Sequence, residues 1–313
     1  MTESISPLNN TLDPQTVSDV AAETGIDPAF IEKDWYAVQL LARLSAFPCE
    51  RGVSLIFSGG TSLSKGYGVI KRFSEDLDFI LTSPPDTSEG QRRGLRQDIL
   101  SHVVADNRFK IADGSVMRGD SNRFFKAPVR YAIGFPHASL RPHLQLEMTF
   151  SESRLAPITC PIRSIIAEVA NAEPETQMPC ISPIETAADK LSALTWRVLV
   201  RDRAAQNDDP TLVRHLHDLA ALWHDIKGNR EVFIECSHLS LEKDRVRRGG
   251  EAIAALSIPE RLERAIQTIA EDDQYRAEYE RFVQNMSYAD EDRRTSFDSA
   301  LERLRQIARM VQS

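Results

Sequence analysis

The sequence predicts an α+β fold in which a mixed sheet forms in the first half of the chain and helices form most of the second half. Short apolar runs with strand-like patterning and glycine or proline boundaries lie between about residues 53 and 150. After Phe150, helical periodicity and helix-capping sequences take over. Strands and helices that are segregated along the chain in this way are typical of α+β proteins. We therefore predict N-terminal helices and a sheet core over residues 1–165, followed by a helical domain over 166–313.

The first elements are predicted from capping and turn residues. A helical pattern extends from about residue 16 to 47, and Asp27-Pro28 within it is a typical N-cap and first-turn pair. The run 53–57 predicts a short strand. This strand ends in a glycine turn, Ser58-Gly59-Gly60-Thr61-Ser62, which leads into another helix-like stretch.

The later elements follow from the period of the apolar residues. We predict a strand over 77–81, a helix over about 90–105, and strand-like runs near 108–117, 123–135 and 142–150. Ser182-Pro183-Ile184-Glu185 has the sequence of a capping box, so a long helix should begin there and end near Arg203. Further helices are predicted over 211–224 and through most of 230–313.

The composition is that of a globular protein with an ordinary core. Of the 313 residues, 42% are hydrophobic and 27% are charged, and a chain of this size needs no disulfide or structural metal. The four cysteines are far apart and form no zinc-binding pattern. No apolar run approaches the roughly 20 residues of a membrane span. We therefore expect a cytoplasmic protein without a membrane partner.

The net charge of −8 bears on the class of partner. Proteins that bind nucleic acid indiscriminately are usually basic, because neutralisation of phosphates supplies most of their affinity. The acidic total argues against binding of long duplexes and is compatible with a local basic site. Six basic residues could line a groove for RNA: Lys65, Lys71, Arg72, Arg123, Lys126 and Arg130.

Two acidic residues on the second predicted strand carry the chemistry. Asp76 and Asp78 alternate with Leu77 and Phe79, so both carboxylates lie on the face opposite the core. Adjacent carboxylates repel each other unless a cation lies between them. Mg²⁺ prefers oxygen ligands and completes its shell with substrate phosphates, which makes it the expected ion. An isolated DxD pair is more often a solvated strand end, so the prediction depends on the neighbouring motifs.

A third carboxylate is predicted from the run that ends at Phe150. Leu144, Leu146 and Met148 occupy one face of this strand, and Glu147 lies on the opposite, polar face. If the strand lies beside the one that carries Asp76, three acids converge and could hold two metals for in-line phosphoryl transfer. The alternative is that Glu147 is an exposed surface residue.

The glycine turn is the predicted phosphate site. Gly59 and Gly60 allow the backbone to approach a polyphosphate closely, while Ser58, Thr61 and Ser62 offer hydroxyl and N–H groups. The turn does not fit the P-loop pattern. Although a Gly-Gly pair alone usually marks only a tight turn, the order strand, glycine turn, helix, acidic strand favours a functional site.

Two later helices carry further candidates. Lys190 and Arg197 are seven residues apart and share one helix face, where they could bind an anion or simply face solvent. Arg214 and Asp218 are four apart, and a surface salt bridge explains them as well as a functional role does. The histidines of this region have no metal-ligand spacing and are expected in the core or on the surface.

These segments together resemble the AbiEii/AbiGii toxin nucleotidyltransferase family, which includes the MenT toxins and belongs to the DNA polymerase β-like superfamily. The resemblance spans most of the chain. Its motifs here are Ile31-Glu32-Lys33-Asp34-Trp35, Ser58–Leu63, Arg72–Asp78, Lys190–Arg197 and Arg214–Leu219. The last motif departs from the usual form, because His217 separates Asp218 from the expected basic neighbour.

The resemblance implies a polymerase β-like nucleotidyltransferase core, a nucleotide triphosphate substrate and a cognate antitoxin. Some members of such toxin–antitoxin or phage-defence pairs attach nucleotides to the 3′ end of tRNA, and tRNA is the acceptor that the family implies. We assign metal binding to Asp76 and Asp78, and activation of the acceptor hydroxyl to Glu147. Lys190 and Arg197 are assigned to neutralisation of phosphate charge. Asp218 is assigned to the catalytic residues.

Two alternatives stay open at this point. The same chemistry could act on a protein or a small molecule rather than on RNA. The chain could also be a non-catalytic interaction module that keeps the fold, although the intact Asp76, Asp78 and Lys190 argue against it.

Overall fold

The computed structural model describes residues 12–49, 52–245, 247, 249–288 and 294–312. The chain divides into two compact units. The sheet unit comprises Met1–Gly66, Ser74–Ser153 and Pro157–Cys180, and the helical unit comprises Tyr67–Phe73, Arg154–Ala156 and Ile181–Ser313. Within the described ranges, no helix is both long enough and apolar enough to cross a membrane. The predicted domain boundary at residue 165 stays a prediction.

The sheet unit opens with two helices, α1 (Pro14–Thr24) and α2 (Pro28–Ser45), which lie in the helical stretch predicted over about 16–47. The break lies at Gly25, whose φ of 70° ends α1 in the left-handed conformation that glycine adopts at low cost. Asp27 caps α2 as predicted, because its carboxylate accepts a hydrogen bond from the N–H of Ala29 at 2.8 Å.

One seven-stranded mixed sheet forms the centre of this unit. Its strands are β1 (Ser54–Ser58), β2 (Asp76–Thr82), β3 (Met117–Gly119), β4 (Phe124–Val129), β5 (Leu144–Phe150), β6 (Ile158–Ile162) and β7 (Thr176–Cys180). They lie in the order β3-β4-β5-β2-β1-β7-β6. The pairs β2–β5 and β1–β7 are parallel, and the others are antiparallel. The helices α3 (Gly59–Lys65), α4 (Glu89–Val104) and α5 (Ile165–Val169) complete the unit. The α+β prediction is confirmed.

One predicted strand is wrong and two strands were missed. Residues 108–117 form no long strand: Lys110 makes an isolated bridge with Arg130, and β3 begins only at Met117. The strands β6 and β7 were not predicted. Each contains a proline, Pro161 and Pro179, and proline within a short run normally argues against a strand because it cannot donate to the ladder.

The helical unit contains the predicted long helix, α6 (Pro183–Val200), which ends three residues before Arg203. The Oγ of Ser182 caps it by accepting from the N–H of Ile184 at 3.3 Å. The predicted capping box is wrong in its second half, because the Glu185 carboxylate instead accepts hydrogen bonds from the backbone N–H groups of Arg154 and Leu155. The contact of Glu185 with this distant segment replaces the predicted local hydrogen bond to the backbone of the N-cap residue.

The rest of the unit is helical, as predicted. A 3₁₀ turn (Pro210–Val213) precedes α7 (Arg214–Ala221) and α8 (Trp223–Gly228), so the helix predicted over 211–224 is divided. Five more helices follow: α9 (Arg230–Arg245), α10 (Glu251–Ala254), α11 (Ile258–Glu271), α12 (Asp273–Met286) and α13 (Phe297–Val311). Their apolar faces are buried against one another within this unit.

Candidate active site

The two predicted acids lie on one face of β2. Leu77, Phe79 and Leu81 on the other face are at most 2% exposed, whereas Asp76 and Asp78 are partly accessible. Strand alternation therefore sets the direction of both carboxylates as the sequence predicts. The antiparallel neighbour of Asp78 on β1 is Ser58, the first residue of the glycine turn, so the turn and the acids meet at the same end of the strand pair.

Gly59 is fitted closely against Asp78. Its φ is +74°, and a Cβ built on it would lie 2.0 Å from Oδ2 and 2.8 Å from Cγ of Asp78. Any side chain here would displace the carboxylate and would also strain the backbone, because L-residues rarely adopt this conformation. Gly59 thus lets the Asp78 carboxylate lie directly against the turn.

Glu147 joins the acids through the register of the sheet. In the parallel pair β2–β5, Asp78 is the partner of Glu147, and Asp76 is the partner of Gln145. The side chains of these four residues lie on the same face. The Nζ of Lys126, the β4 partner of Glu147, lies 4.0 Å from its carboxylate. The predicted adjacency of the two strands is confirmed.

The acids do not form a preassembled metal cage. Within the described ranges, no group of three or more His, Cys, Asp or Glu side chains is arranged to hold a metal ion. Two of the carboxylates instead have cationic neighbours, Arg141 at Asp76 and Lys126 at Glu147. The donor set is nevertheless of the right chemistry, because carboxylate oxygens are what Mg²⁺ prefers.

The hydroxyl groups of the glycine turn have contacts within the protein. The Oγ1 of Thr61 donates to the backbone oxygen of Asp76 at 2.5 Å, and the Oγ of Ser62 donates to that of Gly59 at 3.3 Å. Both side chains are buried, as is Gly60, whereas Ser58 is partly accessible. Thr61 therefore fixes the start of β2 relative to the turn. A direct role of these residues in nucleotide binding stays a prediction.

Three consecutive charged residues on α2 support this arrangement. The Glu32 carboxylate accepts from the backbone N–H groups of Gly134 and Phe135, at 2.8 and 3.1 Å. Lys33 forms an ion pair with Glu75, the residue before Asp76. The sequence identified this segment as a motif but gave it no role.

Asp34, the third of these residues, has two partners. It accepts from the N–H of Ile165 at 2.7 Å and pairs with Lys65 at 2.5 Å. Lys65 is 7% exposed in this pair, so the prediction that it lines a groove for RNA is wrong. The Lys65 ammonium group neutralises the Asp34 carboxylate inside the sheet unit, since a buried carboxylate requires a buried counter-ion.

Arg141 and Gln145 lie beside the acids and were not predicted. The Nη2 of Arg141 lies 2.8 Å from Oδ1 of Asp76. Arg141 belongs to an irregular loop, where no periodic pattern marks a functional position. Gln145 could have been found, because the alternation that selects Glu147 also places Gln145 on the polar face. Its Nε2 is buried and makes no hydrogen bond within the described part of the chain.

In the helical unit, Asp218 is the centre of a buried ion cluster. The guanidinium of Arg72 donates to both of its oxygens at 2.7 Å, and the Nζ of Lys190 lies 2.7 Å from Oδ2. Burial alone raises the pKa of Asp218, but the charges of Arg72 and Lys190 outweigh it and hold that pKa well below its usual value. Burial lowers the pKa of Lys190, which Asp218 offsets only in part.

This cluster excludes three possibilities that the sequence left open. Lys190 is 6% exposed, so it does not belong to a solvated helix face. Arg72 is 3% exposed and cannot line an RNA groove. The surface salt bridge between Arg214 and Asp218, one of the two alternatives for this pair, does not form, because Arg72 and Lys190 occupy the carboxylate.

Arg214 and Arg197 share a different carboxylate. Each places an Nη1 at 2.9 Å from Oδ2 of Asp209, whose pKa is lowered by both arginines despite its burial. The same-face prediction for Lys190 and Arg197 is compatible with α6, but the two cations pair with different acids. Whether Arg197 contacts a nucleotide stays a prediction.

Of the two histidines near Asp218, His217 is buried and His215 is partly accessible. The Nδ1 of His217 lies 3.2 Å from Oδ1 of Asp218. Both ring nitrogens of His215 are buried and make no hydrogen bond to the described residues. Burial and the neighbouring charges of Arg214 and Lys190 lower the pKa of His215 well below its ordinary value of 6.5.

Comparisons with known proteins agree with this arrangement. The family described as "Nucleotidyl transferase AbiEii toxin, Type IV TA system" matches residues 39–303. The fold is similar to that of MenT4, a nucleotidyltransferase toxin from Mycobacterium tuberculosis H37Rv, with a TM-score of 0.61. The match covers 97% of this chain and 90% of that chain at 19% identity, and it shows the fold alone. A search of curated protein sequences finds no match. Because the family match extends over most of its length, this chain belongs to the AbiEii nucleotidyltransferase toxins of type IV toxin–antitoxin systems and is an enzyme rather than a non-catalytic interaction module.

Proposed function

We propose that this nucleotidyltransferase moves a nucleoside monophosphate from an NTP to the 3′ end of tRNA, with Mg²⁺ as its ion. The observation that carries the proposal is the set of three acids on one sheet face, Asp76, Asp78 and Glu147, beside the glycine turn. Carboxylates crowded on one face repel one another, which favours binding of a cationic ligand in addition to the neighbouring Arg141 and Lys126. In this family of reactions that ligand is a metal ion bound with the nucleotide.

Asp76 and Asp78 would hold the ion. Nucleotidyltransferases of this kind generally use divalent metal ions. The close contact between Gly59 and Asp78 would hold one metal-binding carboxylate against the turn that receives the phosphates. When bound, the ion would neutralise charge on the triphosphate and polarise the α-phosphate.

The remaining chemistry belongs to the chain and its substrates. Ser58, Gly59 and Gly60 would hold the triphosphate through backbone and side-chain groups. The acceptor hydroxyl oxygen forms a bond to the α-phosphorus, and the bond to pyrophosphate breaks. Glu147 would orient that hydroxyl and accept its proton. Lys190 stays a predicted phosphate-neutralising residue.

The acceptor is proposed to be RNA because of the cations near Glu147. Arg123 and Arg130 flank β4 and are exposed, and Lys126 lies on the same face as Glu147. Cations along a strand next to the acids could contact the phosphates of a single-stranded end, whose terminal hydroxyls are accessible for attack. The enzyme would act in the cytoplasm, where a cognate antitoxin would counteract it.

Transfer can be tested with the purified protein. Each α-³²P-labelled NTP is incubated with Mg²⁺ and total tRNA, and the Asp78→Ala variant serves as the inactive control. Label should enter tRNA, and periodate oxidation of the tRNA 3′ end should abolish the incorporation. Sequencing of tRNA 3′ ends after induced expression should show added nucleotides together with growth arrest.

The rival acceptors predict a different distribution of label. If tRNA stays unlabelled and a protein or small-molecule fraction of the lysate takes label instead, the acceptor proposal is wrong and the transfer chemistry stands. Absence of label in every fraction with all four NTPs would contradict the proposed reaction.

A further inference from the structure

Arg141 forms an ion pair with Asp76, one of the two residues that are proposed to bind the metal ion. Its guanidinium bridges two neighbouring carboxylates: Nη2 lies 2.8 Å from Oδ1 of Asp76, and Nε lies 3.3 Å from Oε2 of Glu75. A guanidinium and a divalent cation on the same carboxylate repel each other, so each weakens the binding of the other. Metal binding at Asp76 therefore weakens the contact with Arg141 and favours movement of its guanidinium.

The backbone of Arg141 is fixed independently of its side chain. Its N–H donates to Oε1 of Glu75 at 2.7 Å, and its carbonyl oxygen accepts from Nζ of Lys33 at 2.6 Å. Lys33 and Glu75 form an ion pair with 6% and 12% of their side chains exposed. The buried pair thus holds the loop at the position of Arg141.

The side chain of Arg141 is exposed enough to change its position. It is 42% exposed, and ion pairs that solvent can reach are weak, since water competes for both partners. The guanidinium can leave Asp76 without disturbing the backbone contacts to Lys33 and Glu75. Its planar donor fork matches the oxygens of a phosphate, which it can bind with two hydrogen bonds.

We propose that Arg141 binds the polyphosphate of the incoming nucleotide and rests on Asp76 until a divalent cation takes that carboxylate. This inference depends on the proposed function, because it assumes that Asp76 holds the ion that accompanies an NTP. Arg141 is then a substrate contact that also screens the acids from one another before the substrate arrives. The exchange leaves every charge paired in both states.

The proposal predicts opposite effects on two affinities. Replacing Arg141 by glutamine removes the competitor, so Mn²⁺ without nucleotide, measured by the electron paramagnetic resonance of the free ion, should bind roughly two- to fivefold tighter. Binding of Mn²⁺–tripolyphosphate, measured by calorimetry, should be about tenfold weaker because a charged phosphate contact is lost. Arg141→Lys should lie between the two proteins, since it keeps the charge and loses the fork.

Arg276→Gln is the matched control. Arg276 is also 42% exposed and paired with a carboxylate, that of Asp298, and its replacement should change neither affinity. Circular dichroism of each variant establishes that it is folded. If Arg141→Gln weakens both affinities, the residue merely supports the loop, and if it changes neither, it has no role at the site; both results overturn the inference. A wild-type protein that binds no Mn²⁺–tripolyphosphate would instead contradict the proposed function.

Discussion

Lys190 and Asp218 form a buried ion pair in which the lysine Nζ lies 2.7 Å from Oδ2 of a carboxylate that is 0% exposed. Arg72 holds the same carboxylate through two hydrogen bonds. Three charges in one buried cluster leave a net positive charge, and the two cations are not equivalent. Arg72 donates a hydrogen bond to each carboxylate oxygen. Burial disfavours the charged form of Lys190 and lowers its pKa.

This difference predicts that substitution of Asp218 and substitution of Lys190 affect the stability of the protein differently. Asp218→Asn should destabilise the protein by about 3–5 kcal/mol, because it leaves Arg72 and Lys190 without a buried counter-charge. Lys190→Met should leave the Arg72–Asp218 pair intact and lower the melting temperature little, while nucleotide transfer is lost. Thermal unfolding and transfer assays on both variants measure this. If Lys190→Met retains wild-type transfer, the predicted role of Lys190 in phosphate neutralisation is wrong.

Asp78→Asn should give a folded but inactive protein. The substitution removes a proposed metal ligand and one of the repelling charges on β2, so the melting temperature should stay constant or rise slightly. Transfer should fall about a thousandfold, which corresponds to loss of several kcal/mol of transition-state stabilisation. Asp86→Asn, at an exposed position of the same unit, is the control and should behave as wild type. Near-normal transfer by Asp78→Asn would exclude Asp78 as a ligand.

Gly59→Ala should abolish transfer and lower stability, because the new Cβ would meet the Asp78 carboxylate at 2.0 Å. Gly114→Ala separates this clash from backbone strain. Gly114 has a φ of +73° but no atom within 4 Å of the added Cβ, so it should show only the strain of roughly 1–2 kcal/mol and keep its activity. Equal effects of the two substitutions on transfer would show that the contact with Asp78 is unimportant.

His215 should make the protein less stable in mild acid. Because its pKa is lowered in the folded state, the unfolded chain binds a proton near pH 6.5 while the folded protein does not. Stability is therefore fully present above pH 6.5 and falls by about 1.4 kcal/mol per unit as the pH drops below it, until the folded-state pKa is reached. Urea unfolding between pH 7.5 and 5 measures the slope.

His215→Phe should flatten that slope, since an aromatic ring of similar size takes no proton. His224→Gln, at an exposed position in α8, is the control and should keep the wild-type slope. An unchanged slope in His215→Phe would mean that other groups cause the acid sensitivity.

The sequence by itself determined the fold class and the face on which the acids lie. Strand alternation is a local property of the backbone, so the pattern around Leu77 and Leu146 sufficed to place Asp76, Asp78 and Glu147 on polar faces. Capping residues likewise placed the starts of α2 and α6, because an N-cap hydrogen bond joins residues two or three positions apart.

Only the tertiary structure decided which charges pair. Asp218 meets Arg72 across 146 residues, and Arg141 meets Asp76 across 65, so no local spacing favoured these partners. Arg214 lies four residues from Asp218 and could have paired with it locally. Asp218 pairs with Arg72 instead, because a buried carboxylate is stabilised most by a partner that donates to both of its oxygens. The strands β6 and β7 were missed for a related reason, because their short, proline-containing sequences have little strand propensity of their own. The strand β7 pairs with β1 at Phe57, and β6 in turn pairs with β7.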